Sequence, residues 1–351
     1  MVLKSDKRRQ RERFNNSFPD AFFLDIDNIE NTTQYLRTVG WLEQGDSVSE
    51  MERLDHSVMN YVVRVIPDRA PAFVLKQSRP WIENFPEIDA PVFRSRVEFR
   101  FSELAHQTTD LQKFIQMEYE YDEISFMLKM KEFQNAESLA DAYGAKNEIS
   151  ISDIDQVLEF LATVNGLSGY NSFPRNMEMR RLNHHFAFVA PYTRFTEFEL
   201  DDTQEGLADL KKIVTGNISL KHKVISLGEK YLQGGNTIQH GNLELSNILR
   251  VGESIKIVDS EFAFQSVPEW DAAVFMAHLY LSDSPSSIIE YFTDNLNFKR
   301  FDHTAFFGFA GIEIISRLLG LCQLPVTFSI DQKEELIKKA IHLIDDQPLE
   351  S

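Results

Sequence analysis

Cysteine is almost absent: Cys322 is the single one in 351 residues. One thiol makes no internal disulfide and no cysteine-based zinc site, and a small buried hydrophobe on a helix is the reading it supports. A chain without disulfides fits a reducing, cytoplasmic compartment. Glycine (15) and proline (12) are too sparse for a collagen-like or low-complexity chain. Basic residues are outnumbered, with 36 Lys and Arg against 54 Asp and Glu and a net charge of −18. Such a chain repels phosphate backbones, so nucleic-acid binding is not expected, whereas a cationic or metal-bridged ligand is easier to hold. A membrane span is not expected either. The most apolar stretch, Ala305 to Leu324, carries Glu313 and Arg317 four apart on one helical face, which suits a buried helix with an internal ion pair. Nor does the start read as a signal peptide. Lys4, Lys7, Arg8, Arg9, Arg11 and Arg13 are followed by Phe14-Asn15-Asn16-Ser17 and no apolar core, so residues 1–20 are expected to form a basic, flexible, solvated arm.

What is present is ordinary globular composition, 43% hydrophobic, in a chain long enough for about two domains. The first third reads as strands and one helix. Tyr61 to Ile66 is rich in β-branched residues, Pro67-Asp68-Arg69-Ala70-Pro71 is a turn cluster, and Ala72 to Gln77 is a second run; together they predict an antiparallel hairpin. Pro91 to Gln107 has helical spacing through Val97, Phe101 and Leu104, and Ile124 to Met130 is apolar over a strand's length. The remainder is helical in pattern: a helix capped by Ser152 and stopped by Gly166, one over Leu210 to Leu232, and one over Lys333 to Ile344. These patterns set an α+β N-terminal lobe at 21–133 and a helical C-terminal lobe at 134–351.

The chemistry concentrates in Ile238 to Ala273. His240-Gly241-Asn242-Leu243-Glu244-Leu245-Ser246-Asn247-Ile248-Leu249 leads to a short strand, Ile255 to Val258, and then to Asp259-Ser260-Glu261-Phe262. An Asn and an Asp twelve apart, flanking one hairpin, can converge on a cation, and hard oxygen ligands suit Mg²⁺, which normally also takes phosphate oxygens.

This segment resembles the signature of the aminoglycoside phosphotransferases, choline kinases and methylthioribose kinases, in which His-Gly-Asp, four residues and Asn precede a strand ending in Asp. Asp259-Ser260-Glu261-Phe262 is most similar to the methylthioribose kinases. Val74-Leu75-Lys76-Gln77, Arg96-Val97-Glu98 and Ala310 to Leu321 resemble further segments of that family in the same order. The resemblance implies a bilobal protein-kinase-like α+β fold: a small antiparallel-sheet N-lobe, a larger mainly helical C-lobe, and Mg-ATP held between them. It also implies roles. Lys76 would touch the nucleotide phosphates and pair with Glu98. Backbone groups from Met130 to Glu132 would bind adenine. Asn247 and Asp259 would hold Mg²⁺, with Glu261 as a further ligand. His240 and Asp271 would be structural. Arg317 is a substrate candidate, set against its ion pair with Glu313. The implied activity is transfer of the γ-phosphoryl group to a hydroxyl of a small molecule, such as a sugar, amino sugar or amino alcohol.

Three departures qualify the resemblance. Asn242 stands where the family has the Asp that positions the attacking hydroxyl, and an amide cannot take a proton at neutral pH. Glu244 is a possible substitute, set against an exposed loop residue. The phosphate loop, Glu52 to Asn60, has no glycine, which leaves Ser57 to serve. Gln265-Ser266-Val267-Pro268 replaces the family's turn and suggests altered acceptor geometry. The alternatives are a pseudokinase that binds nucleotide without efficient turnover and a different transfer such as nucleotidylation. The acceptor and the oligomeric state are not legible.

Overall fold

Alternation builds the sheet. In the computed structural model, which describes residues 4–54, 57–116, 118–144, 148–167, 170, 172–194, 199–298, 300–324 and 326–345, strand β2 (Tyr61–Pro67) buries Tyr61, Val63 and Val65 on one face. Its antiparallel neighbours are β1 (Val48–Arg53) and β3 (Phe73–Gln77). Strands β4 (Tyr119–Asp122) and β5 (Met127–Lys131) complete a five-stranded sheet of order β1-β2-β3-β5-β4. The predicted hairpin is β2–β3. The run from Ile124 begins as a turn: Ile124 is exposed, Phe126 has φ +52°, and pairing starts only at Met127. The Tyr61–Val65 face is covered by Leu24, Trp41, Leu42 and Leu36, the last on helix α2 (Ile29–Thr38). Helix α3 (Arg94–Gln107) follows the sheet's third strand, and a single turn, α4 (Thr109–Gln112), ends the excursion.

The expected solvated arm is a helix, α1 (Lys4–Ser17). Phe14 is fully buried against Trp81 and Phe23, and Arg13 donates to the Pro86 carbonyl at 2.6 Å. One apolar anchor among the charges is enough to dock the segment. The first of two compact units therefore spans 1–134 with α1 included; the second spans 135–351.

In the second unit, β6 (Glu137–Ser138) precedes α5 (Ile151–Gly166). The cap of α5 is Ser150, not Ser152. Ser150 and Asp153 form a reciprocal capping box, and Asp153 also binds Arg250 at 2.7 Å. After α6 (Met177–His184), the helix expected over 210–232 is two helices, α7 (Leu207–Gly216) and α8 (Ile218–Gln233). Asn217 breaks it by accepting the Leu220 N–H at 3.0 Å as a new N-cap. Strand β7 (Thr237–Gln239) pairs with β10 (Phe264–Ser266), and β8 (Ile248–Val251) pairs with β9 (Ser254–Ile257). Helix α9 (Glu269–Leu281) is buried along nearly its whole length; α10 (Ser286–Asp294), α11 (His303–Leu319) and α12 (Ile330–Asp345) follow. No helix of the described residues is long and apolar enough to cross a membrane.

Candidate functional site

In the first unit, β3 alternation turns Lys76 away from the Tyr61 face and toward α3. Its Nζ lies 2.6 Å from Glu98 Oε2, and the side chains are 5% and 1% exposed. The two charges are taken out of water together, and such burial is tolerated only as a pair. Ser57 is used locally: its hydroxyl oxygen accepts the Asn60 N–H at 3.2 Å. Asp55 and His56 of the expected phosphate loop lie outside the described residues. The segment is pinned by a residue the sequence did not single out. Arg94, fully buried at the start of α3, donates to Asn60 Oδ1 (2.9 Å) and to the Met59, Arg79 and Pro91 carbonyls. Met130 pairs in the sheet with Val74 and Tyr119, and the Glu132 carboxylate accepts from Arg64 at 2.7 Å.

In the second unit, β7 delivers His240-Gly241 to a clamp. Asp271, in the first turn of α9, accepts the N–H groups of His240 (2.5 Å) and Gly241 (2.8 Å), and Trp270 Nε1 donates to the Gly241 carbonyl at 2.9 Å. Burial lifts the Asp271 carboxyl to about 7 despite those two donors. Gly241 is obligatory, because its φ is +87° and a Cβ would lie 2.2 Å from the Phe262 carbonyl oxygen. His240 Nε2 meets the Val258 carbonyl at 3.0 Å, a structural contact across the loop.

The β8–β9 hairpin places the two residues expected to be oxygen ligands. Ile248 is opposite Ile257, and the Val258 N–H donates to the Asn247 carbonyl at 3.0 Å, so Asn247 and Asp259 flank the same end. Asn247 Nδ2 donates to the Asn242 carbonyl at 2.9 Å. Asp259 sits in the left-handed region at φ +63°, which Asp tolerates better than most residues, and Glu261 follows in a buried 3₁₀ turn.

Asn242 opens onto a buried charged cluster. Arg317 Nη2 donates to Asn242 Oδ1 at 3.1 Å. Arg317 Nε lies 2.6 Å from Glu313. Its Nη2 lies 2.8 Å from Glu244 Oε2, close but not aligned as a hydrogen bond. Glu244, whose alternative reading was an exposed loop residue, is 14% exposed. His278 and Tyr143 extend the cluster: His278 Nε2 is 3.3 Å from Glu313, and Nδ1 is 2.5 Å from the Tyr143 hydroxyl. Nothing in the sequence pattern marked either residue.

Burial alone would raise the Glu313 carboxyl, but Arg317 and His278 hold it down at about 2. Its unfolded value is ~4.3, so the difference amounts to roughly 3 kcal/mol. A depressed folded value gives stability that is complete above the unfolded pKa and is lost as the pH falls toward the folded one. Urea melts between about pH 6 and 3 should therefore show the parent losing stability more steeply than Glu313→Gln. Equal slopes would refute this account of the cluster.

The chain is 25% identical over 247 residues to methylthioribose kinase 2 of Oryza sativa subsp. japonica, a match covering 64% of this chain and 54% of that one. It thus spans about half the length of that relative. In structure it is similar to a choline/ethanolamine kinase family protein from Mesorhizobium loti (TM-score 0.53, 15% identity, 90% of this chain and 94% of that chain). It is also similar to a spectinomycin phosphotransferase solved with ADP and spectinomycin (TM-score 0.52, 11% identity, 90% and 97% covered). No family model matches the sequence. These likenesses show a protein-kinase-like α+β fold.

Proposed function

We propose that the chain is an ATP-dependent phosphotransferase acting on a hydroxyl of a small molecule. The observation that carries this reading is the buried Lys76–Glu98 pair at 2.6 Å, the pair that kinases of this fold use to hold the α- and β-phosphates. The second unit supplies the metal ligands. Asn247 commits its Nδ2 to a carbonyl, which leaves Oδ1 as its ligand atom, and Asp259 adds a carboxylate at the same hairpin end. Glu261 is the next carboxylate along the chain. Among the described residues no group of three or more His, Cys, Asp or Glu is arranged to hold a metal. An oxygen set completed by phosphate and water fits Mg²⁺, and not zinc. When bound, Mg²⁺ would neutralise charge on the β- and γ-phosphates. The His240-Gly241 clamp fixes the loop that carries Asn242, and main-chain groups near Met130 to Glu132 would read adenine.

The acceptor classes come from the relatives: a thio-sugar, an amino alcohol or an amino sugar. The single free cysteine, Cys322, suits a reducing cytoplasm. A second reading, a pseudokinase, is favoured by one contact: the Asn242 amide oxygen is spent on Arg317. Two assays test the readings, and the second separates them. Mg-ATP at about a hundredfold excess over its Kd should stabilise the chain by about 2–3 kcal/mol under either. ATP consumption over methylthioribose, choline, ethanolamine and spectinomycin should show turnover only under the first. No stabilisation by Mg-ATP would sink both.

A further inference from the structure

The basic run that opens the chain is not used by the site above, and the first unit shows what it does build. Helix α1 closes a cavity of about 920 Å³ lined by five cations, Lys7, Arg9, Arg13, Arg53 and Arg79, and by three carboxylates, Asp25, Glu83 and Glu87. Lys7 and Arg13 pair with Asp27 and Asp89 outside the lining, and Asp25 pairs with Arg11; six cations against five carboxylates still leave a local excess of one positive charge in a chain of net charge −18.

Two of the guanidinium groups are held in place by rings. Arg53 lies 3.7 Å from the Tyr61 ring centre, and Arg79 lies 3.9 Å from Tyr61 and 4.2 Å from Phe23. These are cation–π distances, and they fix long side chains that would otherwise be mobile. Arg79 is 2% exposed. Its Nη2 donates to the Leu24 carbonyl at 2.6 Å and its Nη1 to Glu83 at 3.1 Å, while Nε has no acceptor. Glu83 is shared, lying 3.6 Å from Arg53 Nη2 as well. Burial draws the Arg79 guanidinium below its ordinary pKa. An arriving anion would relieve a buried cation that is only partly compensated. Exposed Arg9 has no ion-pair partner among the described residues.

The cavity is separate from the lysine pair. Tyr61 registers with Gln77, and Arg53 with Val63, all on the sheet face opposite Lys76.

We propose that this cavity binds a small phosphorylated metabolite through Arg53 and Arg79, with Arg9 and Lys7 contributing from α1. A phosphomonoester carries about −1.5 to −2 charges at neutral pH, opposite in sign to the local excess. Arginine forks bind phosphate oxygens in pairs. The volume accommodates a sugar phosphate or mononucleotide, while the acidity of the whole chain disfavours a nucleic-acid polymer. The inference does not depend on the kinase reading.

The test is calorimetric titration of the full chain with ribose 5-phosphate, with ribose and citrate as controls. Binding should weaken about tenfold in Arg9→Glu, as expected for the loss of one charge-assisted contact. It should be lost in Arg79→Gln and be unchanged in Arg100→Gln, which alters an exposed arginine of α3 outside the cavity. Arg79 is buried, so its variant is first checked by thermal melting; Arg9 is exposed, and its variant keeps the test decisive if Arg79→Gln does not fold. Any of four results would overturn the proposal: no binding of ribose 5-phosphate, equal binding of ribose, preference for citrate, or loss of binding in Arg100→Gln. Binding unaffected by Arg9→Glu would overturn it as well.

Discussion

Lys76→Met is expected to abolish Mg-ATP binding and to cost about 3–5 kcal/mol of stability, because it removes the cation that faces the buried Glu98 carboxylate. Glu98 is 1% exposed in its side chain, so water cannot replace the lost partner. Function and stability are separable here. A double variant, Lys76→Met with Glu98→Leu, replaces two buried charges by apolar groups of similar volume. Such replacements are often neutral or stabilising. The double variant should recover to within about 1 kcal/mol of the parent in urea melts and still fail to bind nucleotide. Restored stability without binding would mean that the pair is kept for the phosphates. A double variant that binds Mg-ATP like the parent would remove Lys76 from the site.

Legibility followed the range of the interactions. Strands β2 and β3 showed in the sequence because alternation is local, and so did the hairpin with Asn247 and Asp259 at one end. The Glu313–Arg317 pair was visible because four residues make one helical turn. Strands β1 and β4, Val-Ser-Glu-Met-Glu-Arg and Tyr-Glu-Tyr-Asp, were hidden because their charges look like loop composition. Those charges are satisfied across strands, Glu52 by Arg64 and Glu120 by Lys129. The same holds for α1, whose single anchor, Phe14, finds Trp81 only in the fold. Arg94 reads as a surface helix residue until the carbonyls of residues 59, 79 and 91 are seen around it. Arg317 reaches Asn242 across 75 residues, a contact no local pattern encodes.

That last contact bears on turnover. Asn242→Asp is expected to raise the rate of phosphoryl transfer by about 10²–10⁴-fold, the contribution of a positioned general base. The amide oxygen already accepts from Arg317 Nη2 at 3.1 Å, so a carboxylate of the same shape would be oriented by the same donor. One oxygen would rest on Arg317 and the other would be able to take the hydroxyl proton. Two opposing effects bound the gain. The arginine already faces Glu313 and Glu244, so a third carboxylate adds repulsion within a buried cluster. Arg317 also lowers the basicity of whatever it holds, which places the expected gain toward the lower end. Lys76 and Asp259 are untouched, so the KM for ATP should change little while kcat rises. The pH profile of kcat should gain an acid limb, since the new base works only when ionised. An unchanged kcat would mean that the missing base does not limit this chain. Phosphoryl transfer would then rest on positioning alone, as a loose transition state allows, and the Asn242–Arg317 contact would be a structural tie and no barrier to turnover.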